Sequence, residues 1–260
     1  MKRFSAIIAG AAALALVLAG CGSTNTGDNE YGVIKAGELQ MCADVPYEPF
    51  EYEDPESPLG YTGFDVDLMS AIAESLGLKL VVVVTDFSAL QSGAALAAGN
   101  CDVGASAITI TEERKANLDY SDPYYDSLQS LLVKKGSNIH KLSDMENMTI
   151  GVQRDTTGET YTQDNAPASA EIVFFPTDGE MWAAIQAGQV DALLQDFPIN
   201  HQHEVLDSGY VVVEKYFTDE QYGFAVAKDK NPELLAAVND ALAAMKEDGT
   251  YQEIYDKYFA

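Results

Sequence analysis

Arg114 is the residue whose type and position first call for a chemical partner. It follows Thr111-Glu112-Glu113, and a threonine there can cap a helix through its hydroxyl. In a helix's first turn the macrodipole favours the two glutamates and disfavours a guanidinium. A surface pairing with a neighbouring glutamate would account for an ordinary arginine. An anion held at this point would reverse the penalty, and guanidinium presents a fork of donors suited to a carboxylate. Asp196 supplies the opposite charge. It closes the apolar run that begins at Asp191, so it sits at the carboxyl edge of a strand, where α/β proteins form ligand sites. Capping the next helix near Pro198 is its ordinary alternative. The histidines are His140, His201 and His203. His201 and His203 stand two apart, a spacing that does not share a helix face, so no metal site is expected. No Walker, zinc-protease or nucleophile-elbow motif is present.

The elements that must position these charges alternate between strand-like and helix-like from Glu38 onward, the pattern of an α/β fold with largely parallel sheets. Leu39 to Ala43 reads as a strand. Val66 to Leu76 reads as a helix, with Leu68, Ile72 and Leu76 spaced by four and Gly77 as its stop. Leu80 to Val84 is a β-branched run, a buried strand. Ala89 to Ala98 reads as one helix ended by Gly99, and Asp102 to Ala107 as the next strand. Ala98-Gly99-Asn100-Cys101-Asp102 has an echo in Ala187-Gly188-Gln189-Val190-Asp191. One copy in each half points to two lobes built on similar units. Near the end, Asn231 caps a helix from Pro232 to Asp248, and Thr250 caps another with Tyr251, Ile254, Tyr255 and Tyr258 on one face.

Composition narrows the partner. Among 260 residues, 15 are Lys or Arg and 41 are Asp or Glu, a formal net charge of −26. Neutralising phosphate needs a basic face, so a nucleic-acid partner is excluded, and docking on anionic lipid is disfavoured. A hydrophobic fraction of 47% with 10% aromatics describes a folded chain able to bury a core. The first twenty residues are an address: Met1-Lys2-Arg3, an Ala-rich apolar run, then Leu18-Ala19-Gly20-Cys21. Those last four residues resemble a bacterial lipobox, which implies cleavage before Cys21 and lipid on its thiol. Gly22 to Glu30 has no apolar residue and reads as a flexible tether.

Gly63-Phe64-Asp65-Val66-Asp67-Leu68, followed by Ile72-Ala73 and Leu76, resembles the signature of the family 3 solute-binding proteins of ABC transporters. Further segments continue the resemblance over nearly the whole mature chain: Asp44 to Phe50, Ala107 to Arg114, Asp119 to Tyr125, Gly151-Val152-Gln153, Gln195-Asp196, Gln221-Tyr222-Gly223 and Gly249-Thr250-Tyr251. The resemblance assigns Arg114 to the α-carboxylate of an amino acid and Asp196 to its α-ammonium. It adds polar contacts from Thr109, Thr157 and the backbone at Ser106, apolar walls from Tyr47, Phe50 and Phe87, and a side-chain end at Asp44, Tyr47 and Gln153. Asp155 stands where relatives usually carry glycine, and the stretch around Gln91-Ser92-Gly93 is about two residues longer than usual.

The expected molecule is therefore a two-lobed periplasmic-binding-protein-like α/β fold of type II with a two-crossing hinge. Lobe one comprises residues 31–125 and 223–260, the hinge 126–128 and 220–222, and lobe two 129–219. It is expected to be exported, monomeric and without cofactor, to touch membrane only through the lipid on Cys21, and to deliver a polar or basic amino acid to an ABC permease. A cyclic amino-acid-precursor dehydratase and a sensory domain share the fold. The first needs an acid or base at the reacting atom, and no histidine falls in a pocket motif. The second is normally joined to a transmembrane helix. Cys42 and Cys101 are expected as free thiols, since straight parallel strands would hold them about 10 Å apart.

Overall fold

The computed structural model describes residue 29 and residues 31–260; the leader, Cys21 and nearly all of the tether lie outside the described residues. β1 (Glu38–Ala43) leads through the hairpin β2 (Tyr52–Glu53) and β3 (Tyr61–Thr62) to helix α1 (Phe64–Ser75) and then β4 (Lys79–Val84). α2 (Phe87–Gln91), α3 (Ala94–Ala97), β5 (Val103–Gly104) and β6 (Leu118–Tyr120) follow. The chain crosses on β7 (Tyr125–Lys134) to β8 (Thr149–Gln153), α4 (Thr157–Asn165), β9 (Glu171–Phe175), α5 (Asp178–Gln186), β10 (Ala192–Asp196) and α6 (Phe197–Leu206). It returns on β11 (Tyr210–Tyr222) to β12 (Ala225–Ala227), α7 (Pro232–Asp248) and α8 (Thr250–Phe259).

Two five-stranded sheets result, ordered β4-β1-β5-β12-β6 and β11-β7-β10-β8-β9. In the first, β1 lies parallel to β4 and β5; in the second, β8 lies parallel to β9 and β10. Such strands need helices on both faces, which explains their continuous apolar runs. The first core joins Leu39 and Met41 of β1, Leu68 and Ile72 of α1, and Leu234, Val238 and Leu242 of α7. Tyr251, Ile254, Tyr255 and Tyr258 of α8 pack on it, so both C-terminal helices return to the first sheet. β7 and β11 pair antiparallel, with Tyr125 opposite Tyr222, Asp126 opposite Gln221 and Ser127 opposite Glu220. The two crossings therefore run side by side.

The sequence echo is a structural repeat. Gly99 and Gly188 both adopt left-handed φ, 74° and 69°. The next residue's N–H reaches back five residues in each copy, Asn100 to Ala95 O at 3.1 Å and Gln189 to Ala184 O at 2.9 Å, the Schellman closure that ends a helix. Asp102 N then donates to Gln40 O, and Asp191 N to Thr149 O.

Several local expectations are corrected. Gly93, at φ 78°, splits the Ala89–Ala98 segment into α2 and α3. β5 holds only Val103 and Gly104, not Asp102 to Ala107. Neither Asn231 nor Thr250 caps through its side chain: Asn231 takes φ 51°, and Gly249 occupies the cap before Thr250. Cys42 and Cys101 form a disulfide, with Cα atoms 5.7 Å apart. A bend at Asp102 ends the straight strand on which the larger separation depended. Cys101 thereby folds over to the apolar cluster that holds Cys42, Leu90 and Leu96.

Candidate functional site

The opposed charges meet where strands end. Asp44 follows β1, Phe87 opens α2 just after β4, and Ser106, Ala107 and Thr109 follow β5. Gln153 closes β8, Thr156 and Thr157 start α4, and Asp196 closes β10. Together with Tyr47 and Arg114 they line one cavity of about 300 Å³, including space open to solvent, between the two sheets. That is the carboxyl-edge placement typical of α/β ligand sites, at the small end of ligand pockets.

Arg114 opens a single 3-10 turn, Arg114–Ala116, and its N–H donates to Thr111 Oγ1 at 3.1 Å. Thr111 Oγ1 thus meets the Arg114 N–H, but Glu113 stands at the cap of this turn and no α-helix follows, so the expected helix cap and its macrodipole are absent here. The side chain is buried, 6% exposed, and lies over the Phe87 ring with its carbon 5.2 Å from the centroid. It spends two of its five donors on carbonyls, Nη1 to Thr109 O and Nη2 to Asp155 O, both at 3.0 Å. Asp155 presents that carbonyl from φ 61°, the left-handed conformation that glycine readily adopts. Among the described residues Arg114 forms no ion pair. Burial pulls its pKa down, while Tyr120, Asp196 and Glu220 pull it back up.

Asp196 does not cap α6 with its side chain. Its carboxylate instead accepts from Tyr47 Oη at 2.9 Å, from Tyr222 Oη and from Gln129 Nε2. Burial, helped by Glu220, pushes its pKa up to about 7 against those three hydrogen bonds. Asp44 is likewise raised to about 7, chiefly by burial, although Gln153 Nε2 donates to it at 2.6 Å. The fields of Asp86 and Asp178 add to the rise. Tyr47–Asp196, Asp44–Gln153 and Arg114–Asp155 all join the first sheet's unit to the second's.

Phe50 is the exception among the expected residues. It is fully buried in the first core, against Phe64, Tyr125, Tyr222 and Phe259, and does not line the cavity. Ala107 and Thr156 join the lining. Glu220 is a further buried carboxylate that sequence reasoning missed. It accepts from Thr109 Oγ1 at 3.1 Å, Thr157 Oγ1 at 2.9 Å and Gln129 Nε2 at 3.1 Å. The signal for it is its place in the second crossing, opposite Ser127. His203 is buried against Asp178 Oδ1 at 2.9 Å and stacked on Trp182, while His201 is half exposed. Among the described residues no three His, Cys, Asp or Glu side chains gather as metal ligands.

Two α/β lobes joined by paired crossings, with a small charged cavity between them, define a type II periplasmic binding protein. The chain belongs to the bacterial extracellular solute-binding proteins, family 3, whose model matches residues 39–260. The ABC transporter glutamine-binding protein GlnH of Bacillus subtilis is 36% identical over 207 residues, 75% of this chain and 72% of its own length. The arginine-binding extracellular protein ArtP of the same organism is 31% identical, with 100% of this chain and 98% of ArtP covered. An ancestral arginine-binding protein solved with glutamine bound superposes with a TM-score of 0.80 at 35% identity, covering 86% of this chain and 99% of that one.

Proposed function

We propose that this chain is the substrate-binding component of an amino-acid ABC importer, closing its lobes on a polar or basic L-amino acid and handing it to a membrane permease. The observation that carries this is the pairing of Arg114 with Asp196 on the walls of one buried cavity. A buried guanidinium without an ion partner costs several kcal/mol. A ligand α-carboxylate would offset that cost, aided by Thr109, Thr157 and the Ser106 backbone. Asp196 would hold the α-ammonium, and Tyr47 and Phe87 the flanks.

Asp44 and Gln153 would meet the side chain. Asp44, Asp196 and nearby Glu220 outnumber the single cation Arg114, so a second carboxylate on the ligand is disfavoured and a side-chain cation favoured. The expected order is basic amino acids first, glutamine close behind and cystine third. Relatives named for arginine, glutamine, histidine and cystine binding are in keeping with that order. Lipid on Cys21 would tether a monomer at the extracytoplasmic face, and the β7–β11 crossings would act as the hinge. Calorimetric titration with arginine, lysine, histidine, glutamine, glutamate and leucine tests the reading. Tight glutamate or leucine binding, with the other four silent, would overturn it.

A further inference from the structure

Behind the Ser106–Thr109 wall of the cavity lie two carboxyl groups that ligand recognition does not use, Glu51 and Asp65. Both are 0% exposed. Gly63 brings them together. At φ 130° it lets the Pro49–Phe50 backbone cross the start of α1 so closely that a Cβ there would stand 2.1 Å from Phe50 O. Phe64 N and Asp65 N then donate to Pro49 O at 2.9 Å and Phe50 O at 3.0 Å.

Each carboxyl has one satisfied oxygen and one orphan. Glu51 Oε1 accepts from Ser106 Oγ, and Asp65 Oδ2 accepts from Ala107 N at 2.8 Å and Tyr124 Oη at 2.7 Å. Glu51 Oε2 and Asp65 Oδ1 are buried without a hydrogen-bond partner. Neither group is paired with a Lys, Arg or His among the described residues. The titratable groups around them are Asp44, Tyr47, Tyr124 and Tyr251, all acids. Two bare anions here would be strongly disfavoured, whereas one proton shared between the orphan oxygens would satisfy both. Asp65 already accepts two donors on one oxygen, so it is the better anion, and Glu51 the better acid. Burial first, and then the charge of Asp65, push the Glu51 carboxyl well above the usual range, while burial raises Asp65 to about 7 against its two hydrogen bonds.

We propose that Glu51 keeps its proton, donates it to Asp65 Oδ1, and with Asp65 forms a positioning pair that holds the Ser106–Ala107 backbone in the shape amino-acid binding requires. This rests on the amino-acid-binding reading above. Ala107 lines the cavity at φ 46°, a left-handed conformation that the Cβ of an alanine disfavours. Asp65 holds its N–H there. Ser106 Oγ donates to Glu51 and accepts from Asp44 N at 3.0 Å, linking the pair to the specificity end of the cavity.

The test compares E51Q, whose amide N–H replaces the acid O–H, with E51A. Arginine and glutamine affinities by calorimetry should stay within about threefold of the parent in E51Q and fall more than about tenfold in E51A. Infrared spectra at about pH 8, above the range where Asp44 titrates, should show a protonated-carboxyl stretch that E51Q removes. An unchanged infrared spectrum in E51Q would mean Glu51 is ionised and would overturn the proposal. A loss of binding in E51Q beyond about tenfold would overturn it too, whether or not E51A folds. Failure of the parent chain to bind any amino acid would sink the binding reading alone, because the infrared band is read without ligand.

Discussion

In the proposed site Arg114 and Asp44 would make opposite demands on a ligand, and each demand can be measured alone. Arg114→Ala removes a site cation and no core volume. Amino-acid affinity should fall roughly hundredfold or more, the loss of about two charge-assisted hydrogen bonds, with the melting curve preserved. Calorimetry beside circular dichroism checks both halves, and unchanged affinity would remove Arg114 from the site. Asp44 and Asp196 are both pushed up to about 7 by burial, against about 3.9 for an unfolded aspartate. Between those values the folded chain binds more protons than the unfolded one, so stability falls as pH rises from about 4 to about 7. Asp44→Asn should flatten that fall in a pH series of thermal melts. The same proton must leave Asp44 when a side-chain cation arrives. Arginine affinity should therefore rise with pH up to about 7 more steeply than glutamine affinity, and equal slopes would exclude Asp44 as the cation's partner. Much of the cavity was legible in the sequence: Arg114 and Asp196 through their own types and positions, and Asp44, Tyr47, Phe87, Ser106, Thr109, Gln153 and Thr157 through the resemblance to family 3 solute-binding proteins, and all nine line it. Phe50 was not, because Tyr47 and Phe50 share one loop and only packing decides which ring faces inward. Glu220 was hidden in the charged Asp219-Glu220 dipeptide, which reads as solvated until β11 pairs with β7.

The helix–Gly–x–x–Asp unit recurs with its hydrogen bonds intact, and its two copies differ in what surrounds them. Asp102 accepts from Ile34 N at 2.7 Å and Gln40 N at 2.8 Å and is buried. Asp191 accepts from Thr149 N and Thr149 Oγ1, both at 2.8 Å, at an exposed edge. Water can replace the second aspartate and not the first. Asp102→Ala should cost about 1–3 kcal/mol in denaturant unfolding, and Asp191→Ala clearly less. Equal costs would mean that burial does not govern this clamp. The echo also holds the clue to the disulfide. Cys42 and Cys101 correspond to Gly151 and Val190, and a Cβ on Gly151 would lie 3.3 Å from Val190 Cγ2. The unit itself brings these positions into contact; counting residues along straight strands could not reveal it, because the chain bends at Asp102. With the cysteines 59 positions apart in the chain, replacing both by serine should cost about 2–4 kcal/mol. Finding two reactive thiols under denaturing, non-reducing conditions would refute the bond. The alternation of elements and the stops at Gly77, Gly99 and Gly188 were legible because each depends on its own few residues. The break at Gly93 and the shortness of β5 depend on distant neighbours: a Cβ on Gly93 would meet Asn117 O at 2.9 Å.

At the scale of the whole molecule, the two lobes touch through polar groups, buried around the cavity and exposed at Ser88–Asp155, and this sets what closure requires. Tyr47–Asp196, Asp44–Gln153, Gln202–Glu48 and Ser88–Asp155 all bridge the lobes. Each is a modest net gain, about 0.5–1.5 kcal/mol for neutral pairs and somewhat more where a charge takes part. Against them stands Arg114, buried without an ion partner, and a cavity edge where Asp196 and Glu220 share one Gln129 amide. Those costs vanish when the lobes part and water enters, and they also vanish when a zwitterion fills the cavity. The two crossings, as the proposed hinge, would offer little resistance, since β7 and β11 cross together and their ladder is irregular between Tyr216 and Glu220. Without amino acid the lobes should therefore spend much of their time apart, and saturating ligand should draw them together. Small-angle scattering should show a smaller radius of gyration with arginine than without, and no such change in Arg114→Ala. Equal radii in the parent chain with and without a ligand that calorimetry shows to be bound would mean a rigid cleft, and the hinge role of the two crossings would fall.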